Sequence, residues 1–139
     1  MAPSLLFVDT SAWYALLDRK DRNHLSAARF VQESRIPLVT STYVLDETVT
    51  LALGHLGHAL AVRAGRQIWA EEIARLVHVT PADEALAWSI FTRHPDKGFS
   101  FTDCTSFTLM QRLGIDTAFA FDAHFEQYGR FVRLPHATP

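Results

Sequence analysis

The chain has 139 residues, of which 48% are hydrophobic and 20% charged, with a formal net charge of -2. That composition can bury a sizeable core and excludes a disordered chain, and the near-neutral charge excludes a general basic field for nucleic acid. The single cysteine, Cys104, excludes an internal disulfide framework and a zinc-finger pattern.

Met1-Ala2-Pro3-Ser4 has no basic character, and the apolar run behind it is too short for a signal segment. No run approaches the roughly 20 apolar residues of a membrane span. The expectation is one cytoplasmic domain over residues 1–139 with no membrane contact.

Leu5-Leu6-Phe7-Val8 is a continuous apolar run, the mark of a strand buried on both faces, and it ends at Asp9. Thr10 and Ser11 open a helix whose apolar side holds Trp13, Leu16 and Leu17. A polar turn, residues 19–23, leads to a helix from about Leu25 to Ser34, which Pro37 stops. Leu38-Val39-Thr40 is a second strand. A helix is expected from Tyr43 to Leu53, with a break at Gly54 and Gly57 before another from His58 to about Glu72. Residues Leu76 to Val79 form a third strand. Pro81 starts the next helix, with Asp83 and Glu84 in its first turn. Hydroxyl residues and Asp103, just ahead of Phe107, Met110 and Leu113, begin a further helix that Gly114 ends. A fourth strand, Thr117 to Phe121, ends at Asp122. A short helix from Ala123 to Tyr128, an edge strand from Phe131 to Leu134 and a frayed tail from Pro135 complete the chain.

Strands alternate with helices throughout, so the expected class is α/β, with a mostly parallel sheet covered on both faces. Right-handed crossovers bring the C-terminal ends of all strands to one edge, where such sheets bind ligands. Asp9 and Asp122 each follow a strand, Asp103 begins a helix, and Glu47 lies early in the helix after strand two. Four acids from distant parts of the chain therefore converge on that edge. Singly, each is explained as a cap or a solvated side chain. Together that explanation weakens, because two such charges about 4 Å apart repel by roughly 4 kcal/mol at an effective dielectric near 20. The cluster needs protons, basic side chains or a metal. Hard oxygen ligands point to Mg²⁺ or Mn²⁺ rather than zinc. Carboxylates that hold such ions suit phosphodiester hydrolysis, since the metal acidifies water and offsets charge on the phosphate.

At these residues the chain resembles the PIN-domain family, and more closely its VapC-type endoribonuclease toxins. The resemblance spans almost the whole chain. It runs through Phe7-Val8-Asp9-Thr10-Ser11, Leu45-Asp46-Glu47-Thr48, Ser100-Phe101-Thr102-Asp103-Cys104-Thr105-Ser106-Phe107 and Ala120-Phe121-Asp122-Ala123-His124-Phe125. It implies a three-layer α/β/α sandwich, dependence on Mg²⁺ or Mn²⁺, and hydrolysis of single-stranded or loop RNA. By position, Asp9, Glu47, Asp103 and Asp122 match the family's acidic quartet, with Ser11 and Thr102 as supporting hydroxyls. Asp46 beside Glu47 leaves open which acid faces the metal. The resemblance also implies a homodimer and a co-encoded antitoxin whose tail occupies the acidic groove. Two other readings stand beside it. One is a housekeeping PIN nuclease without an antitoxin. The other is a non-catalytic module that holds a basic peptide.

Lys97, ahead of the Asp103 helix, is a candidate contact for RNA phosphate. Arg19, Lys20 and Arg22 read as a solvated turn leading away from the edge. Imidazole suits a hard metal site poorly, so His124 is assigned a structural role beside Phe125. Trp13, Trp69 and Trp88 are read as core, and Cys104 as a small buried hydrophobe. The apolar content of Leu53 to Trp69 is read as part of a homodimer interface.

Overall fold

Leu6, Phe7 and Val8 are all fully buried. Successive side chains of a strand point to opposite faces, so this strand, β1 (Leu6–Val8), must be covered on both sides. The computed structural model, which describes residues 2–136, supplies that cover. Strands β2 (Leu38–Ser41), β3 (Arg75–Val77), β4 (Thr117–Phe119) and β5 (Val132–Leu134) complete a sheet of order β3-β2-β1-β4-β5. Every pairing is parallel, and Phe7 lies between Val39 and Ala118 in register. The order reverses between β1 and β4, which opens a crevice beyond their C-terminal ends.

Among the described residues, seven helices surround this sheet: α1 (Thr10–Leu17), α2 (His24–Glu33), α3 (Thr42–Leu56), α4 (His58–Trp69), α5 (Pro81–Arg93), α6 (Phe101–Leu113) and α7 (His124–Gln127). Most of their ends follow local chemistry. Thr80 and Asp83 form a reciprocal capping box at the start of α5, and Ser100 and Asp103 form another at the start of α6. Gly114, at φ 70°, ends α6 in the left-handed conformation that glycine adopts without strain. Gly65 lets α4 approach α3 closely, since a Cβ there would lie 3.2 Å from the Val49 side chain.

α6 is the structural centre. Asp103 to Met110 are all buried, and Phe107 stacks on Tyr128 with centroids 4.5 Å apart. Its C-terminal turn is clamped to α5, because the Arg112 guanidinium donates to both oxygens of buried Asp83 at 2.9 and 3.0 Å. The helix that carries Asp103 is thus fixed at both ends.

Several expectations are corrected. The fourth strand stops at Phe119, because the Phe121 amide turns from the ladder to the Ser11 hydroxyl. The third strand spans Arg75–Val77 and stops short of Val79, whose amide bonds the Thr42 hydroxyl. α3 runs through Gly54 to Leu56, and Gly57 alone, at φ 95°, breaks the chain before α4. Trp13 is core, with its Nε1 donating to Thr40 Oγ1 at 3.1 Å. Trp69 and Trp88 are 61% and 58% exposed, because helical spacing leaves them on outward faces. Residues 137–139 of the expected tail lie outside the described residues. Among the described residues no helix is long and apolar enough to cross a membrane.

Candidate active site

Asp9 follows β1 and caps α1. Its Oδ2 accepts from the Ser11 amide at 3.1 Å and from the Ser11 hydroxyl at 2.6 Å. The same hydroxyl oxygen accepts from the amides of Phe121 and Asp122 at 2.9 and 3.3 Å. Ser11 therefore ties the loop after β1 to the loop after β4, and holds the two strand-end acids side by side. Its local role is that of a short polar residue in a helix's first turn. Its long-range role depends on β1 and β4 being neighbours.

Asp103 is aimed by its own capping box, where Oδ2 accepts from the Ser100 amide at 3.0 Å. The same oxygen accepts from His124 Nδ1 at 2.7 Å. His124 is placed by an Asx turn, in which its amide donates to Asp122 Oδ1 at 2.9 Å, and its ring nitrogen lies 3.3 Å from that oxygen. One imidazole thus bridges two carboxylates. Ligand atoms of Asp103, Asp122 and His124 all lie within 4.8 Å of one another, a spacing that a metal ion could share.

Glu47 on α3 faces the same cavity, which has a volume of about 520 Å³ and is lined by all four acids of the expected quartet. Asp46 is exposed and borders a different hollow beside Trp69, so Glu47 is the acid turned inward. The Thr10 hydroxyl beside Glu47 is buried and has no hydrogen-bond partner of good geometry.

The electrostatics follow from burial. Asp9 is 3% exposed. Desolvation lifts its carboxyl, the Ser11 hydroxyl pulls it back, and the charges of Asp103 and Asp122 push it up again, to about 7. Burial likewise raises Asp103 against the pull of the Ser100 amide and His124, and raises Glu47 beside Asp103 and Asp122. The pocket is short of positive charge. Its carboxylate oxygens, with the His124 ring beside Asp103 and Asp122, make a donor set that fits a divalent cation.

The structure moves several other residues relative to expectation. His124 is a bridge within the site as well as a packing residue, its ring set edge-on to Phe99 at 5.4 Å, and its spacing two positions after Asp122 was the available signal. Arg22 and Asn23 line the cavity, because the turn after α1 folds back over it. Ser100 lines it too, whereas Thr102 is half-buried and does not, and Lys97 is exposed outside it. Cys104 is buried with its thiol pushed up by burial to about 11, which fits a packing role.

Residues 6–131 match the PIN domain family model. The chain is 40% identical over 130 residues to the 23S rRNA-specific endonuclease VapC20 of Mycobacterium tuberculosis, covering 94% of this chain and 98% of that protein. The crystal structure of M. tuberculosis VapC20, described as a sarcin-ricin loop cleaving toxin, superposes with a TM-score of 0.85 at 39% identity, over 90% of this chain and 95% of the other. VapBC2 from Rickettsia felis, bound to a promoter DNA fragment, shares the fold at a TM-score of 0.66 and 9% identity, over 93% and 96% of the two chains. On the sequence match and the site geometry together, the chain belongs to the PIN-domain family.

Proposed function

We propose that this protein is a divalent-metal-dependent endoribonuclease that acts as the toxin of a toxin-antitoxin pair, with the sarcin-ricin loop of 23S rRNA as its candidate substrate. The observation that carries the reading is the convergence of Asp9, Glu47, Asp103 and Asp122 on one cavity at the switch point of a parallel sheet. The choice of RNA rests on the 40% identity to VapC20 across nearly the whole of both chains.

In this reading Asp9, Asp103 and Asp122 hold Mg²⁺ or Mn²⁺, and Glu47 is a further ligand or orients water from the α3 side. The ion, when bound, supplies Lewis-acid activation of water and charge neutralisation at the phosphate. The chain's own residues do the rest. Ser11 keeps Asp9 and Asp122 in register. His124 positions the oxygens of Asp103 and Asp122, and the Ser100 cap aims Asp103. Lys97 stays a proposed phosphate contact on the path outside the cavity.

The proposed partners are RNA, a basic antitoxin segment that competes for the acidic cavity, and a second copy of the chain. Exposed Leu53 and Trp69 on α3 and α4 support the last. The proposed compartment is the cytoplasm, where an RNA substrate is found and the free thiol of Cys104 stays reduced.

The test is 5′-end mapping of rRNA after incubation of ribosomes with the protein and Mg²⁺. A discrete cut is expected, lost in EDTA and reduced by about 10³-fold or more in Asp103→Asn. Equal cleavage by wild type and Asp103→Asn would sink the enzyme reading. RNA left intact by the wild type while a basic peptide binds the cavity would favour the peptide-holding module.

A further inference from the structure

The acidic cavity does not end at Asp122. Phe121 is a partition, with a second cavity of about 320 Å³ on its other side, bordered by Arg22, Asn23, Ser26, Arg133 and His136. Arg22, Asn23 and Phe121 line both. The first cavity sets five carboxylates against Arg22, whereas the second has Arg22 and Arg133 and no carboxylate in its lining.

The partition is held from both sides. Ser11 accepts from the Phe121 amide at 2.9 Å, and Arg133 Nη1 donates to the Phe121 carbonyl. Arg133 also pairs with Glu126 on α7 through Nη2 at 2.9 Å, and Glu126 is half-exposed. Two of the five guanidinium donors are thereby engaged, and the others are left to a ligand. Arg22 is exposed and forms no ion pair with any described residue.

We propose that this second cavity is a phosphate subsite, in which Arg22 and Arg133 grip a backbone phosphate of the RNA strand adjacent to the one cut in the acidic cavity. The assignment rests on the endoribonuclease reading above. The ion would offset charge at the phosphate being cut, but the neighbouring phosphate needs a counter-charge of its own, and phosphate contacts supply most of the non-specific affinity for RNA. The shared residues make the path continuous, and Phe121, partly exposed and lining both cavities, is an aromatic residue of the kind that stacks on unstacked bases. In the free protein Glu126 competes for Arg133. RNA binding therefore exchanges one anion for another on that guanidinium.

The test uses the full chain with Asp103→Asn, which is expected to bind RNA without cutting it. Anisotropy of a labelled single-stranded RNA of about twelve nucleotides is measured with Mg²⁺ across a salt series. Arg22→Ala should weaken binding about tenfold and reduce the slope of log affinity against log salt by about 0.7. Ser26→Glu should weaken binding similarly while leaving the melting temperature unchanged or raised, because an acid in the first turn of α2 suits the helix dipole. Glu126→Gln should tighten binding about threefold by freeing Arg133. Wild-type affinity and salt slope in both Arg22→Ala and Ser26→Glu overturn the subsite. Unchanged affinity in Glu126→Gln removes Arg133 from it. A parent that binds no RNA at any salt, together with a wild type that cuts none, overturns the ribonuclease reading and the subsite with it.

Discussion

Asp9 shows how one residue carries both a structural cost and a functional use. Its carboxyl is ordinary for an N-cap, yet burial lifts it from 3.8 to about 7 against the pull of Ser11, with Asp103 and Asp122 adding to the rise. Between about pH 4 and pH 7 the folded chain holds a proton that the unfolded chain has released. The stability of the metal-free protein should therefore fall as pH rises through that window, by about 4 kcal/mol from this group. Asp9→Asn should flatten the profile and raise the metal-free melting point near neutral pH, while abolishing cleavage. Thermal unfolding in EDTA across the window checks this, and parallel profiles for the two proteins would refute it. A divalent ion should stabilise the wild type and leave Asp9→Asn almost unmoved.

Among the elements, α6 decides how accurately Asp103 is aimed, and its far end is set by Asp83 on α5. Burial raises the Asp83 carboxyl, but the Arg112 and Thr80 hydrogen bonds outweigh it and the net direction is down. The stabilisation this lowering brings is present above the unfolded carboxyl's ordinary value and is lost as pH falls through the depressed native one. Arg112→Ala leaves a buried carboxylate without its cation, and should cost about 2 kcal/mol at neutral pH after allowance for the half-exposed guanidinium. The deficit should shrink at an acid pH below the depressed native value, where Asp83 is protonated in both proteins. Urea midpoints at the two pH values check it, and an equal loss at both would assign the effect to packing instead.

For the molecule as a whole, the unpartnered apolar surface is the open feature. Leu53 and Trp69 are exposed on α3 and α4, as the homodimer expectation requires, and Leu86 and Trp88 are exposed on α5. If α3 and α4 form the dimer contact, the wild type should sediment with twice the monomer mass at micromolar concentration. Trp69→Glu should then sediment as a folded monomer, whereas Trp88→Glu should not. A monomeric wild type, or a dimer that survives Trp69→Glu, moves the contact elsewhere.

Much of this is legible in the sequence alone. The run Leu6-Phe7-Val8 with Asp9 behind it carries its own meaning, because a strand buried on both faces must be apolar throughout, and polar residues take over where it emerges. The helix start at Ser100 to Asp103 and its stop at Gly114 are local events, encoded by neighbouring residues. The four acids could be brought to one edge because parallel topology makes strand ends coincide. What local pattern could not carry was the choice among equivalent neighbours. Glu47 turns inward and Asp46 outward because of how α3 rotates against the sheet. His124 becomes a bridge because Asp103, 21 residues earlier, arrives within 2.7 Å of its ring. Arg22 reaches the cavity because α2 folds the turn back across it. Each of these is a contact between segments far apart in the chain, set by packing rather than by propensity. Hydrophobic periodicity specifies which face of an element is buried, and only the assembled neighbours specify what that face meets.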